Sequence, residues 1–421
     1  MREDQNLILG MDLCNEWTQM SYFNTRTFEV EKITLDPQSK EEDKRNGVET
    51  ILAVSRDGTD LVIGTEAREK EQEGYVLVKD MLLPERDRMV IMETEVSMEQ
   101  ILARFLRKLL ILVKREFPNE KIQKIVVTME HLNFTLLKRV YGAFSSLGIQ
   151  KDRVHIISHE QSFIYFALSQ KKELWMNDVA LFEYNSKGLS YHKINIDRRN
   201  RPMLVVSETK DFTEVFSKDT VVQSASEFAY LFDTLAESAM HKQIISTVYL
   251  TGMLFEEVWM QQSLHRLCAG RRVFVGQNLY CYGAAYAARE EVAPSKFQEF
   301  ALLSKESIPV AIGMQLYTKG SNREMSLLQA ATPWYEVDYV YHMIVDEEEE
   351  LKLNIYDLLK KTTTARVLSL DGIGARTNRM TRIELRLRCT NQNTLVVTMK
   401  DLGFGEFVLA SHRIVETVIG I

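Results

Sequence analysis

Proline is scarce in this sequence, 7 of 421 residues, and glycine is modest at 19. That composition argues against a long disordered segment and leaves most of the chain free to fold into regular elements. Cysteine is rarer still. Cys14, Cys268, Cys281 and Cys389 are scattered, with neither metal-ligand spacing nor a disulfide framework, and they fit a reducing compartment. No basic block occurs, and 52 Lys and Arg stand against 59 Asp and Glu for a net charge of −7, which excludes a nucleic-acid footprint. No window approaches the roughly 18 apolar residues of a membrane span. Met1–Asn6 is acidic and polar, unlike a signal peptide, so a cytoplasmic location is expected. No G-x-S-x-G nucleophile motif is present. His131, His155, His159 and His192 follow no metal spacing and have no partner acid legible in sequence, so they are expected to be solvated or at the core edge, with no metal bound.

What the chain does have is 45% hydrophobic residues over a length that favours more than one domain. Leu7–Leu13 is an apolar run too short for a helix that ends near a single acid, Asp12. It reads as a buried strand feeding a tight turn, with Gln19–Phe23 returning antiparallel. Thr50–Val54 and Asp60–Gly64 read as strands flanking Arg56-Asp57-Gly58-Thr59, a hairpin turn. Ser97–Phe117 reads as an amphipathic helix opened by a Ser97/Gln100 capping box and closed before Pro118. Strand and helix then alternate: 122–128, 133–146, 152–157 and 160–170.

The pattern restarts at Asp178–Tyr184, with a turn at Asn185–Gly188 and a return at Leu189–Ile196. A helix from Ser224, a strand at 247–250, a helix at 255–268, a strand at 272–275 and a small-residue helix at 282–289 follow. Two halves, 1–170 and 178–290, each opening with a hairpin, imply an internal duplication with a cleft between them. Residues 292–307 read as a linker. Beyond it the helical period vanishes, and short alternating strands, the last at Phe407–Leu409, predict a β-sandwich over 308–421.

In this order the segments resemble the seventy-kilodalton heat-shock chaperones (DnaK-type) of the actin-like ATPase superfamily. Gly10-Met11-Asp12-Leu13 resembles the first phosphate loop, Thr50–Ala67 the early hairpin, Ile156–Gln161 a segment that supplies a glutamate near the metal, and Val179–Ile196 the second phosphate loop. Thr247–Leu254 falls on the adenosine loop and Tyr282–Ala285 on the closing helix. Ser369–Ile373 and Thr394–Gly405 resemble late segments of the peptide-binding sandwich. The fold class implied is α/β actin-like (ribonuclease H-like), a two-lobed domain over 1–291, followed by an all-β sandwich.

The resemblance implies a site for ATP or ADP with Mg²⁺, built from Gly10, Asp12, Asn15, Lys79, Gly188, Gly252 and Gly283. Asp12, Lys79, Glu160 and Glu183 are its remnant catalytic candidates. Each of the first three also has a plain structural reading: Asp12 capping a turn, Lys79 extending from a strand, Glu160 capping its helix. The departures bear on function. Cys14, Asn15 and Glu16 stand where the family has a glycine and two threonines. Two like charges about 4 Å apart repel by several kcal/mol where solvent screens them poorly, so Glu16 opposes a triphosphate. Glu183–Gly188 replaces an acid and a glycine run whose amides cradle phosphate. Glu183 also sets its carboxylate about 1.5 Å further out than an aspartate would. Residues 197–223 are shorter than the family's insert, and no counterpart of the helical lid follows the sandwich.

In the sandwich the resemblance places a groove for an extended peptide at Met314, Tyr341, Leu351 and Leu353, with Tyr317 and Ile344 near an arch over it. The alternative for these positions is plain core. The acidic run Asp346–Glu350 would lie on the rim and favour basic, partly apolar segments. Three functions remain open on sequence: a non-hydrolysing chaperone-like protein that binds peptide or protein segments, a working ATPase chaperone with rebuilt loops, or an actin-like scaffold in a cell-envelope or division assembly.

Overall fold

The computed structural model describes residues 6–35, 47–91, 93–217, 224–256, 260–294, 296–318, 320–345, 350–373, 376 and 379–421. The charge run Lys40–Arg45 and most of the Asp346–Glu350 loop lie outside these. The chain divides into two compact units, Met1–Phe300 and Ala301–Ile421.

The first unit contains one arrangement built twice. Asn6–Leu13 is buried at every position but its first, as a strand covered on both faces requires. It pairs antiparallel with Trp17–Asn24 (Met11 opposite Met20) and parallel with Lys121–Met129 (Asp12 opposite Thr128), which pairs parallel with Val154–Ser158. In the second half Asp178–Tyr184 pairs antiparallel with Leu189–Asp197 and parallel with Ile245–Thr251, which pairs parallel with Arg272–Val275. Each sheet thus has a hairpin at its centre and parallel strands beside it.

Local chemistry explains the helices. Met98–Glu116 begins at the expected Ser97/Gln100 capping box and buries Ile101, Leu102, Phe105, Leu106, Leu109 and Val113 along one stripe. His159–Ser169 starts at a second capping box, Ser158/Gln161. Leu279–Val292 is rich in small residues, and Gly283, Ala284, Ala285, Ala287 and Ala288 are buried. It lies so close to the first hairpin that the Ser21 hydroxyl donates to the Cys281 carbonyl at 2.8 Å. On the other side Ser162 donates to the Tyr280 carbonyl at 2.6 Å.

The second unit is a sandwich of two four-stranded antiparallel sheets. One runs in the order Ser321–Leu328, Val310–Thr318, Glu350–Asp357, Thr362–Ser369; the other runs Asp338–Val345, Thr381–Asn391, Thr394–Asp401, Ile414–Gly420. Their inner faces share one core that includes Met314, Leu353, Ile383, Leu385 and Val397. At one end the buried Asp401 accepts two hydrogen bonds from the Arg376 guanidinium, at 2.8 and 2.6 Å.

Several expectations need correction. Phe407–Leu409 is not a strand: Phe407 and Leu409 are exposed in a turn where the Phe404 amide donates to the Val408 carbonyl. The last strand is Ile414–Gly420. Of the helix expected over 255–268, Met260–Leu267 is helical and Met253–Glu256 forms a 3₁₀ turn, while 257–259 lie outside the described residues. The segment read as linker contains the short strand Phe300–Leu303. Edge strands Ser321–Leu328 and Thr362–Ser369 escaped notice because both faces are largely solvated, so no alternation marks them.

A methyl group on Gly10 would meet the Cys281 carbonyl oxygen at 2.2 Å and the Ala285 nitrogen at 2.3 Å. Gly10→Ala is therefore expected to cost about 1–3 kcal/mol by overpacking. Urea unfolding of the full chain measures this, and unchanged stability would refute the close strand–helix contact.

Candidate functional site

The two hairpin turns of the first unit face one cleft of about 550 Å³. Leu13, Cys14, Asn15 and Glu16 line it from the first turn, and Asn185, Ser186 and Lys187 from the second. Among the described residues lining it, the carboxylates Glu16, Asp80, Glu85, Glu130 and Glu183 stand against a single lysine, Lys187. That lysine donates to Glu130 at 2.7 Å and contacts His131 at 2.8 Å, tying the second turn to the end of strand Lys121–Met129. The His131 hydrogen bond, aided by Lys187, holds the Glu130 carboxyl down at about 2 despite its burial.

At the base of the cleft three elements bring polar side chains together. Asp12 comes from the central strand, Cys14 from the turn after it, and His159 from the first position of the helix that follows Val154–Ser158. His159 Nε2 lies 2.8 Å from Asp12 Oδ1, and Cys14 Sγ lies 3.2 Å from Asp12 Oδ1 and 3.4 Å from His159 Nε2. Asp12 and His159 are buried, with 8% and 7% of their surface exposed. Burial alone would lower the His159 pKa, but the adjacent Asp12 outweighs it and the imidazole stays above its usual 6.5. Burial pushes the Cys14 thiol well up, and Asp12, Glu130 and Glu183 add to it.

The second half contributes a parallel set. Tyr280 stacks on His159 with ring centroids 3.9 Å apart and donates its hydroxyl to Glu183 at 2.5 Å. His192 Nε2 lies 3.4 Å from the same carboxylate. Burial raises Glu183, but His192, His159 and the Tyr280 hydroxyl outweigh it and leave the carboxyl below its ordinary value. Asp12 and Glu183 are therefore joined through stacked His159 and Tyr280.

Of the candidates read from sequence, Asp12, Asn15 and Glu183 belong to this region. Lys79 and Glu160 are not among the residues lining the cleft: Lys79 is exposed, with its neighbour Asp80 in the lining instead, and Glu160 is buried beside His159 in sequence. The four glycines assigned to a cofactor serve backbone packing instead. A Cβ at Gly10, Gly188, Gly252 or Gly283 would strike the carbonyl oxygen of Cys281, Phe216, Tyr184 or Ser162 at 2.0–2.4 Å. The histidines also need correction, because each has an acid beside it: His159 with Asp12, His192 with Glu183, His155 with Glu291 and His131 with Glu130. Cys14, His159 and Tyr280 were missed as site residues. The one available signal was the S-x-x-Q capping box at 158–161, which sets residue 159 on the first helical turn.

In the sandwich, Met314, Leu351 and Leu353 belong to the inter-sheet core and cannot line an open groove. Tyr341 packs against that core and donates its hydroxyl to the Leu327 carbonyl. Tyr317 and Ile344 are exposed, at 68% and 54%.

The residues of the cleft do not fit MgATP. Its walls are acidic, Glu16 lines it beside the first turn, and the glycines are used by the fold.

The Asp12–His159 pair sets a pH dependence. A histidine whose folded pKa is raised adds stability below its unfolded value, near 6.5, and loses it as pH rises through the folded value. NMR titration of the His159 ring is expected to give a pKa above 6.5, falling in Asp12→Asn. The stability gap between wild type and that variant should shrink from pH 6 to pH 9. A wild-type midpoint below 6.5 would contradict the pairing.

Residues 307–421 match the family model of a domain of unknown function (DUF8552). No curated protein matches the chain. The model described as the C-terminal part of a family of unknown function (DUF5716) matches residues 34–305, more than half of the sequence, and the chain therefore belongs to the DUF5716 family.

Proposed function

We propose that this protein is a non-hydrolysing binding protein of the actin-like plan, similar in layout to the seventy-kilodalton heat-shock chaperones, that engages polypeptide segments through its sandwich. One observation carries the first part: the two turns that would hold a triphosphate face each other across a cleft lined with carboxylates. The repeated hairpin-and-parallel-strand sheets support the actin-like reading. Bringing phosphates beside Glu16 and Glu183 in a half-enclosed cleft is costly, because water screens the repulsion poorly.

The peptide-binding part rests on the end of the sandwich. The register of Val310–Thr318 against Ser321–Leu328 and Glu350–Asp357 brings Thr318, Ser321 and Glu350 to the same end of their sheet. Tyr317 and Ile344, next in sequence to Thr318 and Val345, expose apolar surface. Aromatic and branched side chains there suit an extended, partly apolar segment.

A ligand that binds only the folded state at 100 times its Kd adds about 2.7 kcal/mol. Thermal unfolding with millimolar MgATP should show no such gain, and a clear rise in Tm would restore the ATPase reading. For the sandwich, fluorescence anisotropy with labelled basic, partly apolar peptides should give saturable binding that weakens with salt. Tyr317→Ala with Ile344→Ala should reduce it about tenfold, the effect of losing about 1.4 kcal/mol. Equal binding by wild type and the double variant would reject this surface.

A further inference from the structure

We propose that Asp12, Cys14 and His159 bind a divalent cation of the zinc class, with one coordination position left facing the cleft. The ligand atoms are a carboxylate oxygen, a sulfur and an imidazole nitrogen, all within 4.8 Å of one another. That donor set suits zinc and its neighbours; magnesium and calcium call for oxygen alone. Zinc–ligand bonds of about 2.0–2.3 Å in a tetrahedron separate ligand atoms by about 3.3–3.6 Å. The present separations of 2.8, 3.2 and 3.4 Å need to open by about half an ångström at most.

The scaffold holds two of the three ligands firmly. Asp12 sits in a strand paired on both sides, and His159 is set by its helix start and by Tyr280 stacked on the ring. Cys14, on the turn, supplies the freedom to adjust.

The surroundings of His159 bear on both the direction and the strength of binding. His159 is more than nine-tenths buried, its Nε2 is aimed at Asp12 and Cys14, and its Nδ1 has no hydrogen-bond partner. A cation on Nε2 leaves the proton on Nδ1. The absence of an acceptor for that proton predicts an affinity one or two orders of magnitude below that of sites with a complete outer shell. Charge adds a further argument, since the carboxylates Glu130 and Glu183 line the same cleft as Cys14 and His159. Cys14 and His159 both line the cleft, which gives the ion a path in and leaves the fourth position to water or an exogenous donor. On binding, the Cys14 thiol and the His159 Nε2 each give up a proton to solvent, and the thiolate sulfur and the freed ring nitrogen bond the cation; no redox change is involved.

The test uses the full chain, stripped with chelator and free of nucleotide, titrated with Co²⁺ as the spectroscopic probe. Its result is thus independent of the ATP experiment. One equivalent should give tetrahedral-intensity visible bands and a thiolate-to-cobalt charge-transfer band, both bleached by one equivalent of Zn²⁺. Cys14→Ser should abolish the charge-transfer band, and His159→Gln should weaken binding at least tenfold, with circular dichroism confirming that both variants fold. Cys268→Ser, which removes an exposed thiol, should change nothing. Absence of these bands at micromolar protein and cobalt would overturn the proposal. So would a charge-transfer band that survives Cys14→Ser.

Discussion

The close approach of helix Leu279–Val292 to strand Asn6–Leu13 is the constraint on which the first unit depends. Gly10 and Gly283 remove the side chains that would hold the backbones apart, and Ser21 and Ser162 anchor the helix through its carbonyls. The helix starts beside the cleft, so its packing sets Tyr280 against His159 and within reach of Glu183. A small-residue stripe that looks like filler is thus what brings the chemistry of the two halves together.

That arrangement gives the cleft its character. A phosphate-binding turn presents backbone amides, and its glycines let a ligand approach them. Here the glycines touch other parts of the protein's own backbone, and carboxylates project where an anion would lie. The same geometry that opposes a triphosphate concentrates negative potential around Asp12, Cys14 and His159. Repulsion of one ligand class and attraction of the other have a single electrostatic origin.

The two units divide their labour differently. In the first, polar side chains from distant parts of the chain meet in a buried site. In the second, the inner faces of both sheets are filled by aliphatic side chains, and apolar groups such as Tyr317 and Ile344 are left at the surface.

Much of the architecture was legible in the sequence because it is written locally. The capping box at Ser97, the Asp57-Gly58 turn, the buried runs at 7–13 and 178–184 and their repetition each need only a few adjacent residues. Solvated edge strands left no such trace. Asp12 could be singled out because it is the one acid at the end of an apolar run, and Glu183 because it falls on the second loop of the family that the chain resembles. Their partners could not, since His159 lies 147 residues from Asp12 and Tyr280 lies 97 from Glu183. Periodicity records which way a side chain faces within its own element. Which side chains meet at short range is decided by how strands pair and how closely a helix approaches a sheet, and that depends on packing across the whole unit.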